Sequence, residues 1–258
     1  PFEGPFRVEW IRAALKEKGF DDEVAPARHD LSVPLKLHDA GYLEFLETVW
    51  ERWLSAGFTT EAIPISLPVR RSYHARPPHN IDGLLGYYAN SVETSITEGT
   101  YEAAIAAKDC AMTGADYLGE GHRFAFALCR PPGHHAGIDL YGGYCFLNNA
   151  AIAAQRMLDN GAKKVAILDV DFHHGNGTQD VTYERDDIFF ASLHGEPDDA
   201  FPYFWGHREE TGKGRGEGYN ANFPMPRNTA WPAYNEALEA ALRRISAFGA
   251  EALVLSLG

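Results

Sequence analysis

The sequence predicts an α/β fold in which a central parallel sheet carries helices on both faces. Short apolar runs rich in β-branched residues alternate with longer amphipathic runs along the second half of the chain. That order is typical of βαβ units. The chain has 258 residues, of which 45% are hydrophobic and 12% aromatic, so it can bury a large core. We therefore expect a single domain over residues 1–258, without internal repeats.

Helices are predicted where apolar residues recur at helical spacing. The first is predicted over 6–18, where Gly19 would form the C-cap. The others are predicted over 42–54, 101–118, 149–160 and 233–248. The stretch that follows residue 170 is helix-like or irregular.

Four strands are predicted among these helices, over 123–129, 165–170, 188–193 and 252–257. The run from Val165 to Val170 is short and apolar, as expected for a buried parallel strand. Ligands bind beyond the carboxyl ends of the strands in such sheets. The polar residues that follow the first three strands are therefore candidate site residues.

The segment 57–99 is a candidate insertion. Several prolines interrupt it, and it carries arginines and histidines. A loop this long in a compact domain is usually a lid or an interface. Asp82 and Glu93 are acids within it.

Composition excludes several classes of protein. The net charge of −13 argues against binding to a nucleic-acid backbone and is compatible with a cationic partner. No run is long and apolar enough for a bilayer, and the Gly-rich 211–218 lacks P-loop spacing. The three cysteines show neither metal-ligand spacing nor a disulfide framework, which favours a reducing, cytoplasmic location. The chain starts at Pro1 and stops after a strand-like run, so we expect residues to be missing at both ends.

The stretch VAILDVDFHHGNGT ends in a cluster of polar residues. Asp169, Asp171 and His173 share one face of an extended chain because side chains two residues apart point the same way. Like charges this close raise each other's pKa unless a cation neutralises them. One histidine with carboxylates suits zinc, iron or manganese. A solvated acidic loop is the alternative at this point.

Two adjacent histidines, His134 and His135, follow the predicted strand 123–129. Amide hydrolysis by a metal-activated water needs a base and an acid near neutral pKa, and histidine supplies both. Cys145 is a rival nucleophile, which one of these histidines would have to activate. Its aromatic neighbours favour a buried structural cysteine instead.

The segments RPPGHHAG, GGYCFLNNAAIAA, DVDFHHGNGTQ and ASLHG, in this order, resemble the histone deacetylase superfamily. The resemblance is greatest to the bacterial acetylpolyamine amidohydrolases, and KLHDAGYL and EETGKG extend it along the whole chain. It implies an arginase–deacetylase fold and a zinc-dependent enzyme that removes acetyl groups from acetylated primary amines.

The resemblance also implies roles for the polar residues. Asp171 and His173 would be two zinc ligands, and a third ligand, an Asp, is expected shortly after Gly258. A catalytic Tyr is expected later still. His135 would act as general base and then acid, while His134 would stabilise the charge that develops in the transition state.

The resemblance places a structural potassium beside the zinc site. Asp169 would orient His134 and contribute to that potassium site. Backbone oxygens of Asp171 and His173 would complete it, together with Ser192 and Leu193. Asn176 stands where some relatives carry an Asp beside the second histidine, and an amide is the weaker partner.

Substrate contacts are implied as well. Tyr144 and Phe201 would form aromatic walls of a narrow channel, with Gly143 beside the substrate. The insertion at 57–99 is similar to a dimerisation loop, which implies a homodimer. We expect Asp82 and Glu93 to bind the distal ammonium groups of a cationic acetylated amine.

Three alternatives stay open. An acetyl-lysine deacetylase of the same superfamily would use the same residues. A non-catalytic acyl-amine binding or sensing protein would not need a general base, so the His134–His135 pair argues against it. A dinuclear manganese hydrolase would need more carboxylates around two metals than this sequence offers.

Overall fold

A computed structural model of the chain describes residues 4–68 and 75–257. Its helices are α1 (Phe6–Glu17), α2 (Ala40–Ser55), α3 (Ile81–Tyr87), α4 (Thr100–Gly119), α5 (Asn149–Asp159), α6 (Asn176–Thr182) and α7 (Trp231–Phe248). Its strands are β1 (Val165–Asp169), β2 (Ile188–Gly195), β3 (Asn220–Met225) and β4 (Ala252–Ser256). Within the described ranges, none of the helices is long and apolar enough to cross a membrane.

The strands form one parallel sheet in the order β3-β2-β1-β4. Strand β1 lies in the interior of the sheet, where Asp169 pairs with Ser192 on one side and Ser256 on the other. The carboxyl ends of β1 and β2 therefore meet at one edge. The predicted parallel α/β sheet is confirmed.

Alternate residues of the central strands face two separate cores. Val165 and Ile167 belong to a cluster that also contains residues of α2, α4 and α5. Ala166 and Leu168 pack in a second cluster with α7. Burial on both faces explains why β1 is apolar throughout rather than alternating, and it confirms helices on both sides of the sheet.

The predicted strand over 123–129 is wrong. This segment is extended but joins no ladder in the part of the chain that the structure describes. Phe124 and Phe126 are 67% and 49% exposed. An apolar alternation predicts a strand only where a neighbouring strand supplies hydrogen bonds, and no described strand lies beside this one.

Strand β3 was not predicted. It contains Pro224 and two asparagines, which are unusual in a strand interior. The position explains the composition, because β3 is at an edge of the sheet, where a proline removes no essential hydrogen bond.

The 57–99 insertion is folded rather than an irregular loop, although its residues 69–74 lie outside the described residues. It contains α3 and an antiparallel bridge between Ala62 and Ile96. Leu84 and Leu85 of α3 are buried in the same core as α2.

Candidate active site

Residues that follow β1, β2 and the segment 123–129 come together at one edge of the sheet. Asp169 is the last residue of β1 and is fully buried. Its Oδ2 lies 2.8 Å from Nδ1 of His134. The backbone of Thr178 donates to the His134 carbonyl at 3.0 Å, which fixes the histidine loop against α6.

His134 is held as a hydrogen-bond donor. The Asp169 carboxylate accepts from Nδ1, so this nitrogen carries a proton. Burial lowers the pKa of His134, but the charge and hydrogen bond of Asp169, with the charge of Asp171, outweigh burial. The pKa of His134 is therefore raised, which favours its protonated form.

His135 is held in the opposite state. Its Nδ1 lies 2.7 Å from Oδ1 of Asn176. An amide oxygen only accepts, so Nδ1 carries the hydrogen and Nε2 keeps its lone pair. Burial and the neighbouring charge of His134 set the pKa of His135 well below its ordinary value. The two adjacent rings, with centroids 4.0 Å apart, thus favour opposite protonation states.

Asp171 and His173 form the candidate metal pair. Oδ1 of Asp171 accepts from the His173 backbone at 2.7 Å and lies 3.3 Å from Nδ1 of the His173 ring. Burial raises the pKa of Asp171, but hydrogen bonds from His173 and the charges of His134 and His173 outweigh it and lower that pKa.

The spacing of this pair suits one zinc ion. Ligands bound tetrahedrally at 2.0–2.1 Å stand about 3.3 Å apart, which is the separation of Oδ1 and Nδ1 here. Residues 4–68 and 75–257 contain no group of three or more His, Cys, Asp and Glu side chains arranged to hold a metal. Within the described residues, Asp171 and His173 could thus fill two positions of a zinc site but not a third.

The other oxygen of Asp169 organises the turn after β1. Oδ1 accepts from the backbone of Asp171 at 3.0 Å. The backbone of Gly195 donates to the Phe172 carbonyl at 2.8 Å, which ties this turn to the end of β2. Ser192, one of the residues expected to hold potassium, is the ladder partner of Asp169.

Aromatic and glycine residues border the histidines. The Phe201 ring lies 4.8 Å from His135 and 6.0 Å from His173 between centroids, so it forms a wall of the site. Tyr144 has a φ of 65° and is partly exposed, and its backbone donates to Thr94 at 2.8 Å. A β-carbon on Gly143 would overlap the His135 ring, so only glycine allows this close approach.

The two acids of the insertion lie in different places. Oε1 of Glu93 accepts from the backbone of Gly143 at 3.0 Å and from Ser91 at 2.6 Å, so Glu93 borders the site. Asp82 lies in the first turn of α3. Among the described residues, no hydrogen bond or ion pair joins its side chain to the histidines.

Cys145 has the surroundings of a structural cysteine. It is fully buried, and its thiol donates to the carbonyl of Gly143 at 3.4 Å. This arrangement supports packing of the Gly143 turn rather than nucleophilic attack.

Three residues that support the histidine loop were not predicted. Asn90 donates to the His135 carbonyl at 3.1 Å, Asn148 donates to the Ala136 carbonyl at 2.9 Å, and His38 bonds the Gly137 carbonyl at 2.8 Å. Two of them carried a signal, because Asn148 lies in GGYCFLNNAAIAA and His38 lies in KLHDAGYL. Asn90 lies outside these motifs and far from the loop in sequence.

Known proteins resemble this chain in sequence and in structure. A family model described as "Histone deacetylase domain" matches residues 2–258. The chain is similar to acetylpolyamine amidohydrolase of Mycoplana ramosa, with 64% identity over 100% of this chain and 75% of the relative. Acetylpolyamine amidohydrolase 1 of Pseudomonas aeruginosa is 47% identical with the same coverage. A crystal structure of acetylpolyamine aminohydrolase from Burkholderia pseudomallei superimposes with a TM-score of 0.92 at 38% identity, covering 100% of this chain and 74% of that one.

Proposed function

Since the chain belongs to the histone deacetylase family, we propose that it is a hydrolase that removes acetyl groups from acetylated polyamines. The family match and the acetylpolyamine amidohydrolases among its relatives support this activity. The observation that carries it at the level of residues is the opposite hydrogen bonding of two adjacent histidines. His134 is paired with a carboxylate and His135 with an amide.

Asp171 and His173 would hold the zinc ion on which the family generally depends. When bound, zinc supplies a Lewis acid that polarises the acetyl carbonyl and lowers the pKa of water. The 3.3 Å separation of the two side chains supports their role as ligands. A third ligand, an Asp after Gly258, stays a prediction from the resemblance.

The histidines move and hold the protons. His135 accepts a proton from the attacking water at Nε2, because Asn176 occupies Nδ1. The same Nε2 then donates that proton to the leaving amine. His134, kept protonated by Asp169, stabilises the negative charge that develops on the carbonyl oxygen.

The walls of the site select a narrow, unbranched chain. Phe201 and Gly143 lie against His135, and Tyr144 follows Gly143 in the chain, which supports a channel for the alkyl stem of the substrate. The hydrogen bond from Gly143 to Glu93 supports a negative charge beside that channel. Binding of distal ammonium groups by Asp82 and Glu93 stays a prediction.

We also propose a structural potassium ion at the end of β1. Asp169 and Ser192 are neighbours in the ladder, and the Phe172 carbonyl accepts from the Gly195 backbone at the end of β2. Carbonyl and carboxylate oxygens are the ligands that hard cations prefer. This arrangement supports the site without identifying the ion.

We also propose that the protein forms a homodimer through the segment 57–99. Ile63, Ile65 and Val92 of the insertion are 43%, 81% and 54% exposed. The exposure of these large apolar side chains supports a protein interface in this segment.

The activity is tested with an acetylated diamine, an acetyl-lysine peptide and the zinc-loaded protein. We expect release of acetate from the diamine, and a rate lower by about 10²–10⁴-fold in H135A, because the general base and acid is lost. Zinc content measured on both proteins should be equal. H122A, which removes an exposed histidine, is the control.

Each outcome separates the candidate functions. Faster hydrolysis of the peptide than of the diamine would favour an acetyl-lysine deacetylase. Tight binding of the diamine without acetate release by the wild-type protein would contradict the enzyme and favour a sensing protein.

A further inference from the structure

A run of exposed aromatic residues continues outward from Phe201. Ring centroids are 6.4 Å apart for Phe201 and Tyr203, 6.5 Å for Tyr203 and Phe204, and 5.8 Å for Phe204 and Trp205. Tyr203 is 53% exposed and Phe204 is 74% exposed. We call Tyr203 and Phe204 the aromatic rim. The rim is continuous with the wall of the active site, because Phe201 lies against His135.

The exposed aromatic rim is suited to contact with a ligand or another molecule. Single exposed apolar residues are common, but adjacent large ones beside a site usually contact a ligand or another molecule. Tyr203 also has a φ of 66°, a backbone conformation that costs a non-glycine residue free energy. Such strain persists where the surrounding structure holds a side chain in a required direction.

Gly206 fixes the rim to the sheet. Its carbonyl accepts from Nε2 of His194 at 2.9 Å, and its amide donates to Glu210 at 2.8 Å. Nδ1 of His194 accepts in turn from Ser192 of β2. A β-carbon on Gly206 would lie 2.7 Å from His194 and 2.8 Å from His174, so the backbone approaches the two rings closely. The hydrogen bonds of Gly206 therefore hold the rim in a fixed position beside the active site.

Trp205 anchors the other end of the run. It is less exposed than the rim and lines a cavity of about 300 Å³ that also borders Asn176. Trp205 therefore borders this cavity, while Tyr203 and Phe204 are more exposed to solvent.

The charge around the rim favours a cation. Aromatic rings carry negative faces, which attract ammonium groups within about 6 Å of the ring centroid. Asp198 and Asp199 are exposed and precede Phe201 in the same loop. The net charge of the chain is −13, so its overall field also attracts cations.

We propose that the aromatic rim of Tyr203 and Phe204 binds a distal ammonium group of the substrate while its acetylated end lies at His135. The inference rests on the proposed function and adds a specificity determinant to it. The rim discriminates by charge, whereas Phe201 contacts the alkyl stem of any acetylated amine. Tyr203 and Phe204 thus contribute to the preference for polyamines over uncharged amides, in addition to the acids predicted to bind distal ammonium groups.

The test replaces the aromatic faces and keeps the apolar bulk, in the double variant Y203L/F204L. The substrates are an acetylated diamine and an acetylated alkylamine of equal length without the second nitrogen. We expect the ratio of kcat/KM for the charged over the neutral amide to fall by about 2- to 30-fold, the range of a cation–π contact. F124L, at an exposed phenylalanine outside the rim, is the matched control and should keep the ratio.

A binding measurement separates this inference from the proposed function. Calorimetry of the acetylated diamine with H135A, and with H135A carrying Y203L/F204L, measures the rim without turnover. Weaker binding in the triple variant supports the rim even if the wild-type protein hydrolyses neither amide.

Three results would overturn the inference. One is an equal loss for the charged and the neutral amide, which would leave the rim only an apolar role. Another is unchanged affinity in calorimetry. The third is conversion of a dimer to a monomer with an unchanged ratio, which would assign the rim to contact with a second copy. If circular dichroism shows that the double variant does not fold, F204L alone serves, because Phe204 is 74% exposed.

Discussion

His38 makes the stability of this fold depend on pH in a way that can be calculated from its contacts. The side chain is 3% exposed and lies between two backbone groups. Its Nδ1 is 2.8 Å from the carbonyl of Gly137, and its Nε2 is 3.1 Å from the amide nitrogen of Asn148. A carbonyl only accepts and an amide N–H only donates, so Nδ1 is protonated and Nε2 is not. The fold therefore requires a neutral His38.

The magnitude follows from the shift in pKa. Burial lowers the pKa of His38 from 6.5 to about 4, although the hydrogen bonds to Gly137 and Ile138 oppose this. Between these values the unfolded chain binds a proton that the folded chain does not. Neutral His38 therefore contributes about 3 kcal/mol to the free energy of unfolding. This contribution is complete above about pH 6.5 and is lost as the pH falls toward 4. About 2 kcal/mol of it should disappear between pH 7.5 and 5.

Urea unfolding of wild type and H38N at several pH values measures this contribution. The asparagine amide can donate to Gly137 but leaves the Asn148 amide without its acceptor, so H38N should be about 1–3 kcal/mol less stable at pH 7.5. It should then lose about 2 kcal/mol less than wild type on going to pH 5. H122Q removes an exposed imidazole and controls for the loss of a histidine. Parallel curves for wild type and H38N would refute the reasoning.

Three further outcomes are expected. N176A removes the acceptor that orients His135 and should lower kcat/KM about tenfold, the free energy of one hydrogen bond, in steady-state assays; an unchanged rate would contradict it. K108M leaves the buried Asp109, now 2.6 Å from Lys108, without its cation and should lower the free energy of unfolding by about 3–5 kcal/mol in urea. K108M/D109N should recover part of that loss. I65D should convert the proposed homodimer to a monomer in light scattering, since Ile65 is 81% exposed in the segment 57–99; a wild-type dimer whose mass I65D leaves unchanged would exclude this surface as the interface.

Local patterns were sufficient for most of the framework. The periodicity of apolar residues predicted α2, α4, α5 and α7 and three of the four strands, because helix and strand repeats depend on neighbours in sequence. Local patterns failed for two segments. The segment 123–129 was predicted as a strand but joins no described strand, whereas β3 was not predicted but pairs with β2. Pairing between distant segments is not encoded in the spacing of either one.

The features of the active site also divide into those that the sequence predicted and those that only the tertiary structure decided. The stretch VAILDVDFHHGNGT by itself predicted that Asp169, Asp171 and His173 lie together at one strand end. In the structure the strand ends at Asp169, and the turn that follows is held by the hydrogen bond from the Asp171 backbone to Asp169. Only the tertiary structure paired Asp169 with His134 and Asn176 with His135, which favours the protonated form of His134 and the neutral form of His135. Protonation states depend on burial and on charges brought together from remote segments, and those arise only when the chain folds.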